Sequence, residues 1–196
     1  MSKKSSSGIT NSPQKAIEKM YENTGLSTED VINVIENWIE SSYGIQSLQR
    51  DGIKNYETET IENAILKSNV HCDKPLYRGI FADEATVNKY LNALQMAEND
   101  ESSEPLIERN NYTTSWTTSK DVAKYYSKEL GDRNTTPIIF ELSPNKYNKV
   151  TLDLHNFGTG TEHEVLMSKK AKFVVDNIRK GKDGILYVHY DWYQWK

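Results

Sequence analysis

Apolar positions recur at helical spacing through the first third of the chain. Ile17, Met20 and Tyr21 fall on one helical face behind Ser12-Pro13, a capping residue followed by proline in the first turn. Gly25 stops that run. Ser27, with Asp30 three residues on, opens a second helix whose apolar stripe is Val31, Val34, Ile35, Trp38 and Ile39. Ile61 and Ile65 carry a third helix over residues 59–67. This helical front has no chemical signature of its own.

The period changes at Pro75. Residues 76–80 are short, apolar and bounded by breakers, which predicts a strand. Asp83 caps a helix bearing Val87, Tyr90, Leu91 and Leu94, and residues 97–111 read as an acidic loop. A strand is expected over 113–118. Ser119 then caps a helix with Val122, Ala123 and Tyr126, closed by Gly131. Further strands are expected at 137–142, 149–154, 164–168, 173–178 and 185–190. Helices in front and strands behind indicate an α+β fold. Residues 1–11 are serine, lysine and glycine with little to bury, and read as a disordered tail. The chain divides into that tail, a helical section over 12–70 and a core over 71–196, all within one domain.

Composition narrows the function. A chain of 196 residues builds one core. The net charge of -4 disfavours a general nucleic-acid binder. No run approaches the roughly 18 apolar residues of a membrane span. The single cysteine, Cys72, excludes an internal disulfide framework and fits a reducing compartment. The start of the chain is basic and polar, without the apolar stretch of a secretory signal, so a cytoplasmic protein is expected. His71-Cys72-Asp73 has no second cluster at metal-site spacing, and no metal is expected. Gly158 and Gly160 do not form a dinucleotide fingerprint, because the third glycine would fall at His163.

Three places carry candidate chemistry. Arg78 is a cation in an otherwise apolar strand, costly to bury unpartnered. Its planar fork suits a pyrophosphate, and equally a structural carboxylate. Ser115-Trp116-Thr117 would place Ser115 and Thr117 on one strand face and Trp116 in a core. Glu162-His163-Glu164 puts two carboxylates at i and i+2, on one face if extended, just before the apolar run Val165-Leu166-Met167. A solvated strand start would look the same. Phe157 precedes the glycine turn and faces either solvent or core.

An arginine strand, a serine-led strand and a pair of glutamates, in that order, resemble the arginine–serine–glutamate class of mono-ADP-ribosyltransferases. Asp73-Lys74-Pro75-Leu76-Tyr77-Arg78-Gly79 looks most like the arginine strand of the phage Alt and Mod enzymes. The resemblance covers about residues 73–190. It implies two packed, mostly antiparallel sheets around an NAD cleft, with NAD as a substrate and no metal. Tyr77, Arg78, Gly79, Ser115, Thr117 and Glu164 would hold NAD. Glu164 would stabilise the transition state, with Ser115 fixing its rotamer and Arg78 supporting the site. Glu162 would activate an arginine acceptor, and Phe157 would help recognise the target. That target would be a host protein, such as RNA polymerase or the translation machinery, met by a monomer in bacterial cytoplasm. Ser-Trp-Thr replaces the usual Ser-Thr-Ser, and the turn before Glu162 is short. The rivals are an NAD glycohydrolase, a transferase acting on nucleic acid, and a non-catalytic binding protein on a degenerate transferase fold.

Overall fold

Local capping decides where the front helices begin. In this computed structural model, which describes residues 13–99, 104–128, 131, 135–157 and 163–193, helix α1 spans Pro13–Met20. Ser12 and the tail lie outside the described residues. Ile17, Met20 and Tyr21 are buried, and Gly25 at φ 75° supplies the left-handed stop. Helix α2 (Thr28–Arg50) starts behind Ser27, whose hydroxyl accepts the Asp30 N–H at 3.4 Å. It is two helical segments joined at Ser41, where φ is -160° and ψ 80°. The periodicity shows only the first segment, because the second buries just Ile45 and Gln49 and has no apolar stripe. Ile39, expected on the buried face, is 46% exposed. Helix α3 (Tyr56–Lys67) begins earlier than its apolar positions indicate. Asn55 accepts the Thr58 N–H, and the Thr58 hydroxyl accepts the Asn55 N–H, both at 2.9 Å.

The rest of the chain is sheet with two covering helices. The strands are β1 (Leu76–Ala82), β2 (Ile107–Arg109), β3 (Thr114–Thr117), β4 (Thr136–Leu142), β5 (Thr151–Asp153), β6 (Glu164–Met167), β7 (Lys172–Lys180) and β8 (Leu186–Trp192). Helix α4 (Glu84–Asn99) follows β1, and α5 (Lys120–Lys128) follows β3. Asp83 accepts the Thr86 N–H at 2.8 Å and so starts α4. Leu91, expected on its buried face, is 40% exposed. Part of the expected acidic loop is ordered otherwise: α4 runs to Asn99, and residues 107–109 pair with β7 as an edge strand. Exposed Ile107 and Arg109 give that strand no apolar alternation to read.

The α+β class holds, but the strands form one ladder, in the order β2-β7-β8-β4-β1-β3-β6-β5. All pairs are antiparallel except β4 with β8. The two expected sheets are the two halves of this ladder, joined where Tyr77 pairs with Thr117. The halves fold face to face across that seam. Trp116 of β3 lies 5.8 Å from the Phe173 ring and 6.5 Å from those of Phe140 and Tyr190. Tyr190 stacks on Phe140 and on Phe173, each at 5.2 Å, and Trp192 packs partly buried against the same core.

Strand β6 separates two cores. Val165 and Met167 face the aromatic core, while Leu166 faces the helices together with Leu152, Leu154, Val34, Ile35 and Ile61. A strand buried on both faces reads as an unbroken apolar run, as this one does. Glu164, two residues before Leu166, therefore starts the strand on the helical side. The front helices share a core with β5 and β6. Among the described residues no helix is long and apolar enough to cross a membrane.

Candidate active site

The β3–β6 register sets the chemistry. Thr117 pairs with Glu164, and Ser115 with Leu166, so Ser115 and Glu164 are diagonal neighbours on one face. The Ser115 hydroxyl donates to Glu164 Oε1 at 2.6 Å. Trp38 of α2 donates its indole N–H to the same oxygen at 3.0 Å. Both bonds converge on Oε1, and Oε2 has no protein donor among the described residues. The Thr117 hydroxyl accepts the Ser119 N–H at 3.0 Å and shapes the turn into α5.

Glu164 lies on the wall of a cleft of about 680 Å³ between β1, β3, α2 and α5. Tyr77, Arg78 and Gly79 line it from β1, with Ser115 and Thr117 from β3. Gly79 has a packing reason to be glycine. A Cβ there would sit 1.8 Å from the Ala123 carbonyl oxygen, so α5 rests directly on the β1 backbone.

Arg78 also borders an adjoining cavity of about 580 Å³, together with Arg50, Arg109 and Tyr112. Among the described residues it has no ion pair with a carboxylate, and its charge acts on the Tyr112 phenol. The guanidinium of Arg50 lies over the Tyr112 ring, 4.3 Å from its centroid. Burial pushes the Tyr112 phenol up, but Arg78 and Arg50 outweigh burial, and its pKa is lowered. Glu108 on the same wall is paired with Lys89 at 2.5 Å. Arg50 and Arg78 thus line one cavity from two elements, α2 and β1.

The structure thus gathers Tyr77, Arg78, Gly79, Ser115, Thr117 and Glu164 around one cleft. Phe157 is elsewhere: it ends a 3-10 turn over Leu154–Phe157 and packs, partly buried, against the helical core. Glu162 and the glycine turn lie outside the described residues. His163 has φ 49°, so the backbone bends there and β6 begins only at Glu164. Sequence reasoning missed α2 as a wall of the cleft, with Trp38, Ile39, Ser42 and Gln46. Trp38 carried one usable signal, an indole N–H in a buried stripe, which needs an acceptor. His71 bonds the Thr151 carbonyl through Nδ1 at 2.7 Å. Among the described residues no three His, Cys, Asp or Glu side chains gather to hold a metal ion.

Compared by sequence, the chain matches no protein-family model and no curated protein. Compared by structure, it is similar to Vis toxin, an ADP-ribosyltransferase from Vibrio splendidus, with a TM-score of 0.65 at 15% identity, over 93% of this chain and 82% of that one. It is also similar to the C3 exoenzyme of Clostridium limosum, at TM-score 0.62 and 12% identity over 93% of each chain. A third similar structure is C3stau2 from S. aureus with NAD, at TM-score 0.58 and 13% identity, over 93% of this chain and 95% of that one. The chain has the ADP-ribosyltransferase fold. At these identities the likeness is one of backbone, and it runs to bacterial toxins and exoenzymes. Within this fold Ser115 and Glu164 are joined by a hydrogen bond, and Arg78 lines the same cleft.

Proposed function

We propose that this chain is an NAD-dependent mono-ADP-ribosyltransferase that modifies arginine of a target protein, with Glu164 as its catalytic carboxylate. The observation that carries this reading is the Ser115–Glu164 bond of 2.6 Å on the wall of a cleft that Arg78 also lines. Nicotinamide in NAD is already cationic and leaves as a neutral ring, so its departure needs no proton donor. The ribose carbon then resembles an oxocarbenium ion. Ser115 and Trp38 hold Oε1 of Glu164, and Oε2 is left to accept a hydrogen bond from the ribose 2′-hydroxyl and stabilise that charge. Arg78, with Arg50, suits the pyrophosphate. The bond from ribose to nicotinamide breaks, and a bond to the guanidine nitrogen of the acceptor forms. The proton lost by the guanidinium passes to a base, the role given to Glu162.

Other support is by likeness. C3stau2 has a structure with NAD, and Vis has one with agmatine, a guanidine compound. The Alt and Mod resemblance of Asp73-Lys74-Pro75-Leu76-Tyr77-Arg78-Gly79 adds a host bacterial protein as the target class, with RNA polymerase and the translation machinery as candidates in bacterial cytoplasm.

Incubation of the protein with labelled NAD and a bacterial lysate tests the reading. Label in protein, released by chemistry specific for arginine linkage, is the expected result. Label in nucleic acid, or free ADP-ribose alone, would replace the acceptor. No NAD consumption at all would favour a binding protein on this fold. Glu162→Gln should lose protein labelling and keep slow nicotinamide release, since water needs less activation than a guanidinium.

A further inference from the structure

A carboxylate lies buried in the helical front, away from the cleft. Glu62 of α3 is 6% exposed and, among the described residues, has no cationic partner. It is held by donors instead. The Thr113 hydroxyl reaches Oε1 at 2.9 Å, the Lys169 N–H reaches Oε1 at 3.0 Å, and the Ser168 hydroxyl reaches Oε2 at 2.7 Å. Gln49 of α2 completes the group. It donates to the Thr113 hydroxyl at 3.0 Å and accepts the Thr113 N–H at 2.7 Å. Thr113 and Ser168 are fully buried. A buried charge without a counter-ion costs stability, and an apolar side chain would commonly be the more stable choice there.

The position of this network indicates what it does. Strands β3 and β6 are four residues each, and their ladder ends at the pair Thr114 and Met167. Thr113 and Ser168 are the next residues beyond that end, and Glu62 bonds both. It is a staple across the end of the ladder. The Ser115–Glu164 bond is diagonal across the same ladder, and a slip of one residue would turn either side chain to the other face. Helix α2 grips both ends of the pair, through Gln49 at Thr113 and through Trp38 at Glu164.

We propose that Glu62 is a positioning residue: with Gln49 and Thr113 it fixes the β3–β6 register, and thereby the orientation of the Glu164 carboxylate. Its catalytic consequence rests on the reading of Glu164 as the reacting group. Its structural consequence does not.

The test uses the full chain with Glu62→Gln, which keeps the shape and removes the charge, and with Thr113→Val, which removes the hydroxyl shared by Gln49 and Glu62. The first readout is the Trp38 indole N–H signal in a heteronuclear NMR spectrum, assigned through Trp38→Phe. In both variants the signal should shift and exchange faster with solvent. The second readout is nicotinamide release, whose kcat should fall ~10-fold or more while KM for NAD stays within about twofold. Folded variants with a lower melting temperature but an unchanged Trp38 signal and unchanged kcat would overturn the proposal. If Glu62→Gln fails to fold, Thr113→Val decides alone. A parent protein without nicotinamide release would defeat the catalytic reading of Glu164, and the Trp38 signal would still decide for or against the staple.

Discussion

Trp38 and Glu164 stand 126 positions apart and meet through one hydrogen bond of 3.0 Å, from the indole N–H to a carboxylate oxygen. Ser115 donates to the same oxygen. Two donors on one oxygen, one from α2 and one from β3, restrict the orientation of the carboxylate. A site held this way is organised before any substrate arrives.

Removing the indole donor should show how much that orientation is worth. Trp38→Phe keeps an aromatic ring in the helical core but loses the N–H. Nicotinamide release is expected to fall roughly 10-fold, as for loss of one hydrogen bond to a charged group. Denaturant unfolding should register a loss of about 1–3 kcal/mol from the same bond and the smaller ring. Turnover within twofold of the parent would show that Ser115 alone positions the carboxylate.

The charge on Glu164 should matter far more than its shape. Glu164→Gln is expected to lower nicotinamide release and protein labelling together by ~100-fold or more. Its thermal unfolding should stay close to the parent's. Activity within a few-fold would remove Glu164 from the reaction.

Arg78 can be read through both NAD and Tyr112. Arg78→Lys keeps the charge but loses the bidentate fork, and calorimetric titration should give NAD binding ~10-fold weaker. Arg78→Gln removes the charge as well. Because that cation helps hold the Tyr112 phenol below its ordinary pKa, its removal should move the phenol to ionise at higher pH. Ultraviolet titration of phenolate, with Tyr112→Phe as the reference, measures the shift. Unchanged NAD binding in folded Arg78→Lys would leave the arginine a structural role beside Tyr112.

Gly79 tests the contact of β1 with α5. An alanine Cβ would meet the Ala123 carbonyl at 1.8 Å, so strand or helix must move. Gly79→Ala should cost about 1–3 kcal/mol in urea unfolding, the usual range for overpacking. An unchanged midpoint would contradict so close an approach.

Cys72 should be inert in the native protein. It is 4% exposed, and burial raises its thiol pKa, so little thiolate forms near neutral pH. A colorimetric thiol reagent should react only when the chain is unfolded. Rapid labelling under native conditions would mean that the segment entering β1 opens readily.

Local pattern was enough for much of this protein. The stripe from Val31 to Trp38 fixes a helix because it recurs at helical spacing, and Val165-Leu166-Met167 reads as a strand because both of its faces are buried. Arg78 and Glu164 are legible as charges within or beside a short apolar segment, whereas Ser115 is legible only through its order between them, which the family resemblance picks out. Tertiary structure decided the rest. The second half of α2 has no apolar stripe, and the edge strand at 107–109 is defined only by its ladder to β7. The joining of the two expected sheets depends on the pairing of Tyr77 with Thr117. The bond from Trp38 to Glu164 and the staple through Glu62 join segments distant in the chain. Periodicity reports which face of an element is buried, because burial acts on each side chain by itself. Which elements meet across that face is set by packing and hydrogen bonding between distant residues, and those exist only once the chain has folded.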